Sequence, residues 1–509
     1  MTSREKPRWA IAPIGVAAAS FALLAAQSAR AQTGCDPQWL SGEPGFDSGV
    51  YALVADGPTL YAAGSFLSTP SGPATRAASW DGATWSPMGD NLDSSVYAMT
   101  RWDQNIVAVG DMWRNDPLAG AALWDGTAWT PIGTSVFGST TPLCVGVYNG
   151  SIAVGTFGYF STAFLYWRAA SGQWGQLGKF TTSGFQYPLP LWAVREFKGD
   201  LIVGGAFDVS YVGTARFDGS AWFSMQSTSI TFALTELDGT LYRGSAGVWR
   251  WTGSDWIPLG PPTIGGSVYT LGTYRGELIA AGRFTSIGGV SASKIARWNG
   301  TEWLPLGLGL NGDVRSLAEF NGELIVAGEF MAAGSEPSPF LARWTDRPVP
   351  WFAKHPQDSG TIEPGGEAEF HITPASGYDV THQWQFESAS GGWCDLADGV
   401  GSLCLAGSQT LVSGAKTPSL ALSSVDLAAA GRYRCVMSNE CEDVASAPAA
   451  LSVACAADCE RDDDLDIFDV LCFQQEFFNQ TSYADCEQDG DWDVFDFLCF
   501  QQLYFQGCG

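Results

Sequence analysis

Histidine is scarce in this chain: three residues in 509, at positions 355, 371 and 382. None lies between 37 and 346, which excludes a histidine-ligated copper or zinc centre from that long segment. Basic residues are also few, 26 Lys and Arg against 53 Asp and Glu, for a net charge of -27. A chain this acidic is repelled by phosphate backbones and anionic headgroups, so no nucleic-acid partner is expected. Charged residues make up only 16% of the sequence, whereas 46% is hydrophobic and 22 residues are Trp. That much apolar material builds cores and rules out disorder as the dominant state. Beyond residue 31 no stretch approaches the roughly 18 apolar residues of a spanning helix, so no transmembrane segment is expected.

The N-terminus has what an export signal needs. Arg4, Lys6 and Arg8 precede an apolar run from Trp9 to Ala26, and Ala29-Arg30-Ala31 fits a small-x-small cleavage site, so 1–31 reads as a secretory signal peptide. Thr33-Gly34 before Cys35 invite a lipid-attachment reading, but Gln32 stands where that motif wants Leu. Twelve Cys, an even number, favour disulfides in an exported chain. The length suits about three domains.

The most informative feature is repetition. Residues 50–66 (VYALVADGPTLYAAGSF) return as 96–112 and 268–284, with looser copies near Leu143, Trp192, Phe232 and Val314. Gly64, Gly110, Gly155, Gly204, Gly244, Gly282 and Gly328 mark the period, at spacings of 46, 45, 49, 40, 38 and 46. Each unit continues with an aromatic followed by an Asp-Gly or Asn-Gly type turn and a strand carrying Trp. Four short strands per unit at this period predict β-propeller blades. The last unit stops at Arg343-Trp344 without its fourth strand. Trp39 precedes Val50 by the interval that separates Trp85 from Val96 and Trp303 from Val314. Residues 37–42 are therefore expected to complete the seventh blade and remove its open edges. The repeats resemble kelch-like propellers of exported proteins, a resemblance that implies a seven-bladed propeller over 32–346 and leaves its function open.

No catalytic set emerges in that segment. Arg216, Arg297 and Arg343 recur at one blade position and are read as packing residues, as are the pairs Trp80/Trp85, Trp124/Trp129, Trp251/Trp256 and Trp298/Trp303. The stretches 181–190 and 331–339 are taken as non-repeating and hence as ligand candidates.

After Arg347-Pro348 the pattern changes to short strands of a sandwich. Trp384, and Asp426 with Tyr433 two residues before Cys435, resemble the strand-C Trp and tyrosine corner of an immunoglobulin-like domain, here 347–454. Phe370 stands where the partner of Cys435 would be, so Cys435 is expected to bond Cys441, and Cys394 to bond Cys404. His371 and His382 are read as ordinary strand residues.

Residues 455–509 hold fourteen Asp and Glu against one Arg, and 458–477 align with 485–504 at a constant offset of 27. Asp485, Glu487, Asp489, Asp491, Asp493 and Asp496 occupy positions 1, 3, 5, 7, 9 and 12 of an EF-hand-type loop, with Gly490 at the sharp turn. The first copy supplies Asp458, Glu460, Asp462, Asp464, Asp466 and Asp469. An all-oxygen set suits Ca2+, so two ions are expected. The second site is expected to be the stronger, because Asp463 replaces the turn Gly in the first loop. Leu465 and Trp492 should pack inward, and Phe468, Leu471 and Cys472, repeated as Phe495, Leu498 and Cys499, form an apolar stripe on the helix after each loop. Two loop–helix units without a preceding helix resemble a dockerin, the GC type that ends secreted bacterial proteins. The resemblance implies docking onto a cohesin-like or other cell-surface receptor, partly through Ile467, Phe468, Val494 and Phe495, which are otherwise core residues. Symmetry suggests Cys472–Cys499 and a terminal Cys455–Cys508 clasp.

The sequence thus reads as an all-β-dominated, multidomain secreted or cell-surface protein with a small α-helical tail. The leading function is non-enzymatic binding, with an extracellular glycan or protein as propeller ligand. The alternatives are a carbohydrate-active propeller enzyme delivered by its tail and a structural surface component.

Overall fold

The computed structural model describes residues 35–506 except 41–44, 112–119, 134–135, 138–139, 159–161, 169–171, 182–188, 208–212, 228, 376, 388–390, 402, 404–407, 455–456, 460–464, 482–483 and 487–489. Residues 1–31, read from the sequence as a signal peptide, and Cys404, Cys455 and Cys508 lie outside the described residues. Among the described residues the chain is mostly β, with helix confined to short segments in its C-terminal part. No helix among the described residues is long and apolar enough to cross a membrane.

Each repeat forms four antiparallel strands. The first unit runs Val50–Asp56, Thr59–Gly64, Ala77–Trp80 and Trp85–Pro87 in spatial order, and the others follow the same plan. The third and fourth units are joined into one larger sheet through Phe157 and Gly158 opposite Pro190 and Leu189. The apolar second strands, such as Thr59–Gly64 and Glu277–Gly282, are the most buried, because they carry neighbours on both sides and both faces. In the seventh unit the fourth strand is Gln38–Leu40, which pairs antiparallel with Leu341–Thr345 and sets Trp39 opposite Trp344. The first strands of successive units neighbour one another through all seven, and Asp313–Phe320 of the seventh neighbours Val50–Asp56 of the first.

The outer-strand tryptophans stitch adjacent units together. The indole N–H of Trp129 donates to Met88 O (2.5 Å), that of Trp222 to Leu177 O (3.2 Å) and that of Trp303 to Leu259 O (2.8 Å). Trp39 likewise donates to Leu306 O (3.2 Å), and Trp174 to Ile132 O. Each bond joins one unit to the unit before it, so a large apolar ring fills the gap while its polar edge finds an acceptor. The recurring arginines pair within their own sheets: Arg216 with Asp200 (2.8 Å), Arg297 with Glu277 (3.2 Å) and Arg343 with Glu323 (2.7 and 2.8 Å).

Residues 352–453 form an immunoglobulin-like sandwich. One sheet holds Thr361–Ile362, Ala449–Val453, Gly431–Ser438, Thr381–Glu387 and Trp393–Asp395, and the other holds Glu367–His371, Ser419–Ser423, Leu411–Ser413 and Gly399–Val400. Trp384, Phe370 and Tyr433 fill the space between them, with Phe370 stacked on Tyr433 at 4.8 Å. Tyr433 Oη donates to Ala429 O (2.7 Å), the hydrogen bond of a tyrosine corner.

The expected Cys435–Cys441 bond is not formed. Cys435 lies opposite Trp384 and points into the core, fully buried, where Phe370 replaces a partner. Its thiol stays reduced and burial pushes it up to about 12. Cys441 sits in the turn after Gly431–Ser438 and bonds Cys35, 406 residues earlier. Cys35 is therefore occupied, and the lipid-attachment reading falls with it. Cys394 is disulfide-bonded. His371 Nδ1 lies 2.7 Å from Ser419 Oγ within one sheet.

The repeat units and the sandwich meet at a buried polar knot. Glu323, 1% exposed, pairs with Arg343 and accepts from Trp351 Nε1 (3.2 Å) and from Tyr378 Oη. Trp351 packs on Trp80 and Phe320 of the repeats, and Lys354 reaches Asp81 at 3.1 Å.

Candidate functional site

The tail was the strongest chemical candidate in the sequence, and its described part is two loop ends, each leading into a helix, α1 (Ile467–Phe478) and α2 (Val494–Gln506). Asp466 caps α1: Phe468 N–H donates to its Oδ1 (2.7 Å), while its own N–H donates to Asp469 Oδ2 (2.8 Å). Asp493 and Asp496 repeat both bonds at α2, at 2.7 and 2.9 Å. This is a capping box, with a carboxylate placed at the positive end of each helix dipole. Loop positions 9 and 12, read from spacing as cation ligands, thus also start the helices. Asp469 Oδ1 further accepts the Cys459 N–H (2.8 Å), and Gly490, at φ +86°, donates to Asp485 Oδ2 (3.0 Å).

Three of the loop carboxylates are withdrawn from solvent: Asp458 is 7% exposed, Asp469 and Asp496 1% each. Among the described residues no three acidic, thiol or imidazole side chains converge in metal-ligand geometry. Glu460, Asp462, Asp464, Glu487 and Asp489, the middle of each loop, lie outside the described residues.

The two helices meet through Phe473 and Phe500, stacked at 4.0 Å, with Leu465 and Trp492 packed against them. Phe468, Leu471, Phe495 and Leu498 do not form the buried stripe; they are 51–54% exposed. The capping carboxylates at 469 and 496 take the inward positions, which rotates the core face to Val470, Phe473 and Phe477 and to Phe497, Phe500 and Tyr504. Ile467 and Val494 are likewise exposed, at 61% and 63%. All four receptor-contact candidates therefore face outward, and Val494 among them borders a cavity of about 450 Å³ with Phe477, Phe478 and Phe497.

The Cys472–Cys499 bond expected from symmetry is absent. Each cysteine instead bonds back to its own loop, Cys459–Cys472 and Cys486–Cys499, both across 13 residues. Position 473, not 472, points at the partner helix, so the two Cys are turned away from each other. The equal spacing of 13 in both copies was the readable signal for this pairing.

In the repeats, 331–339 is not unique. Ala332–Ala333 pairs with Glu336–Pro337 as Ser68–Thr69 pairs with Gly72–Pro73 and Ser286–Ile287 with Val290–Ser291. Asn311 Oδ1 accepts from the Met331 and Ala332 N–H groups as Asp47 Oδ1 does from Leu67 and Ser68. Most of 181–190 lies outside the described residues. A cavity of about 680 Å³ touches Phe197, Arg216, Phe223 and Trp251, but Asp200 within it is committed to Arg216.

No protein-family model matches the chain, and no curated protein does. Among solved structures, it is similar to the crystal structure of DIP-gamma IG1+IG2 at 16% identity, covering 21% of this chain and 49% of that one, so it spans about half of that relative. It is also similar to the tandem Ig repeats of Dlar (11% identity, 26% and 88% covered) and to the N-terminal Ig1-2 module of the Drosophila receptor protein tyrosine phosphatase DLAR (13%, 27% and 74%). The TM-score is 0.16 in each case. The immunoglobulin-like fold of 352–453 stands on its strand order and tyrosine corner.

Proposed function

We propose that this chain is a secreted, non-enzymatic binding and display protein. In this reading 32–346 is a kelch-like seven-bladed propeller, 347–454 an immunoglobulin-like spacer, and 455–509 a dockerin-like anchor that holds two Ca2+ ions and docks a cohesin-like or other cell-surface receptor. Support for the propeller comes from the seven four-stranded units, the neighbouring of the seventh with the first, and the N-terminal strand in the last unit.

The observation that carries the anchor is the outward placement of Ile467, Phe468, Val494 and Phe495 at equal positions of two repeats. Paired apolar side chains exposed on a small domain mark an interaction surface. The donor set fits calcium: its side chains offer only oxygen, and Asp458, Asp469 and Asp496 are buried in a segment whose single basic residue is Arg461. Burying carboxylates is costly without compensation. Hydrogen bonds from backbone N–H groups supply part of it at Asp469 and Asp496, and carboxylate oxygens keep further lone pairs for a hard cation. Asp458, Glu460, Asp462, Asp464, Asp466 and Asp469 would hold one ion, and Asp485, Glu487, Asp489, Asp491, Asp493 and Asp496 the other. An enzyme would want uncommitted carboxylates in a cleft, and Asp200 is paired with Arg216.

The test is calcium calorimetry on the secreted chain and on the same chain ending at 454, with capture of secreted and surface proteins with and without EDTA. Two heats present only in the full chain, and one partner captured only with calcium, are expected. Absence of calcium binding would remove the anchor reading.

A further inference from the structure

The first strand of six of the seven units carries a β-bulge at one shared position, visible as register shifts at Val50/Ala52, Val96/Ala98, Pro142/Cys144, Leu191/Ala193, Val268/Thr270 and Val314/Ser316. The residues lifted out of the ladder are Tyr51, Tyr97, Leu143, Trp192, Tyr269 and Arg315. In the fifth unit Phe232 precedes the ladder at the same place, its N–H donating to Gly244 O at 2.9 Å. Bulges re-aim side chains and cluster beside functional sites. These re-aim a nearly all-aromatic set. None is fully buried: the apolar six are half-buried and Arg315 is exposed.

Because the first strands neighbour one another in sequence order and the seventh neighbours the first, the seven residues share one end of the inner strands. Two arcs are in ring contact. Tyr51 lies 6.1 Å from Tyr97. Trp192, Phe232 and Tyr269 follow at 4.7 and 5.4 Å, and the Arg315 guanidinium sits 5.0 Å over the Tyr269 ring. Polar groups border both arcs. Arg315 is held by Glu329 (2.8 Å), both more than a third exposed, and Tyr51 Oη accepts from Ser65 Oγ (3.2 Å).

We propose that this bulge-borne annulus is a binding site for a neutral saccharide. The proposal deepens the binding-protein reading and rests on the ring arrangement of the units. A pyranose has an apolar C–H face, which an aromatic ring covers, and a rim of hydroxyls, which Arg315, Glu329 and Tyr51 can meet with donors and acceptors. Local charge selects the class. Arg315, the cation of the set, is already met by Glu329 and Asp313, so it is committed before a uronate or phosphate arrives. A quaternary ammonium, the other common guest of aromatic cages, finds the Tyr269 face already taken by a guanidinium.

The test uses the intact secreted chain and calorimetry with short neutral gluco- and xylo-oligosaccharides, with an oligouronate and choline as comparison ligands. Saturable binding of a neutral series is expected, weakened at least about tenfold by Trp192→Ala and by Tyr269→Ala, the loss of one stacking platform. Since either variant could disturb the sheets, a second measurement uses the unmutated protein labelled with 5-fluorotryptophan. The 19F resonance of Trp192, identified by its loss in Trp192→Phe, should move during the same titration. Failure to bind any neutral series, preference for choline or oligouronate, or a Trp192 resonance indifferent to bound sugar would each overturn the proposal. These readouts do not involve the tail, so a failure of calcium binding leaves them unaffected.

Discussion

Single carboxylates do much of the local work in this molecule, and their protonation links stability to acidity. Asp218 closes a strand turn by accepting from the Ala221 and Ser220 N–H groups and the Ser220 hydroxyl, which hold its carboxyl down to about 2. Asp81, Asp125 and Asn299 make the same turn in other units. Since the folded value lies below the unfolded one, about 3.9, the stability this contributes is full above about pH 4 and lost as pH falls toward 2. Asp218→Asn should flatten the acid-unfolding curve in that window, as followed by circular dichroism. Asp426 is a second case. Burial opposes its charge, yet the Gln409 N–H and the Ser408 and Thr410 hydroxyls together hold it below the usual carboxylate range. Asp426→Ala strands these donors and should cost about 1–3 kcal/mol in thermal or denaturant unfolding. The tyrosine corner was legible from Asp426, Tyr433 and Cys435 because that motif is local. The partner of Cys441 was not, because nothing near it in sequence says that Cys35 folds alongside.

At the scale of the element, periodicity carried the repeats but misplaced the helix faces. The Trp39–Val50 interval matched the fourth-strand spacing of other units, and Gln38–Leu40 pairs with Leu341–Thr345. In α1 the apolar residues are so dense that Phe468, Leu471 and Cys472 and Val470, Phe473 and Phe477 both read as a stripe. The capping bond of Asp469 decides between them, and hydropathy does not register it. The hairpin at 331–339 looked unique because its counterparts, three in all among the described residues, carry different sequences on one plan. The indole stitches give these sheets a measurable coupling. Trp303→Phe keeps most of the ring but abandons Leu259 O, and should cost about 1–3 kcal/mol, read from the melting of the intact chain. In the tail, Cys459–Cys472 and Cys486–Cys499 fasten each loop to its own helix. EDTA should therefore part α1 from α2 while each loop stays tethered, exposing Phe473 and Phe500. Dye binding to apolar surface should rise far more than far-UV ellipticity falls. Asp489→Ala should weaken calcium binding more than Asp462→Ala, measured by calorimetry.

For the molecule as a whole, two of the fastenings between the repeats and the sandwich differ in chemistry. One is the knot of Glu323, Arg343, Trp351 and Tyr378. Glu323→Gln leaves a buried guanidinium short of its countercharge and should destabilise by about 3–5 kcal/mol, unfolding both parts together in calorimetry. The other is the Cys35–Cys441 bond. Cys441→Ser, a change within the sandwich, should lower the melting temperature of the repeats by freeing Gln38–Leu40, at a cost of about 2–5 kcal/mol. That bond also imposes a timetable. Synthesis delivers Cys35 406 residues ahead of its partner, a wait on the order of half a minute at ordinary elongation rates. Until Cys441 is made, Leu341–Thr345 has no disulfide to retain its N-terminal neighbour, and Cys35 shares the chain with Cys144, Cys394, Cys404 and Cys435, of which Cys144 and Cys435 are buried in the folded chain. The Cys35–Cys441 bond can therefore close only after the repeats and most of the sandwich have been made, and a chain cut short anywhere before residue 441 lacks this latch.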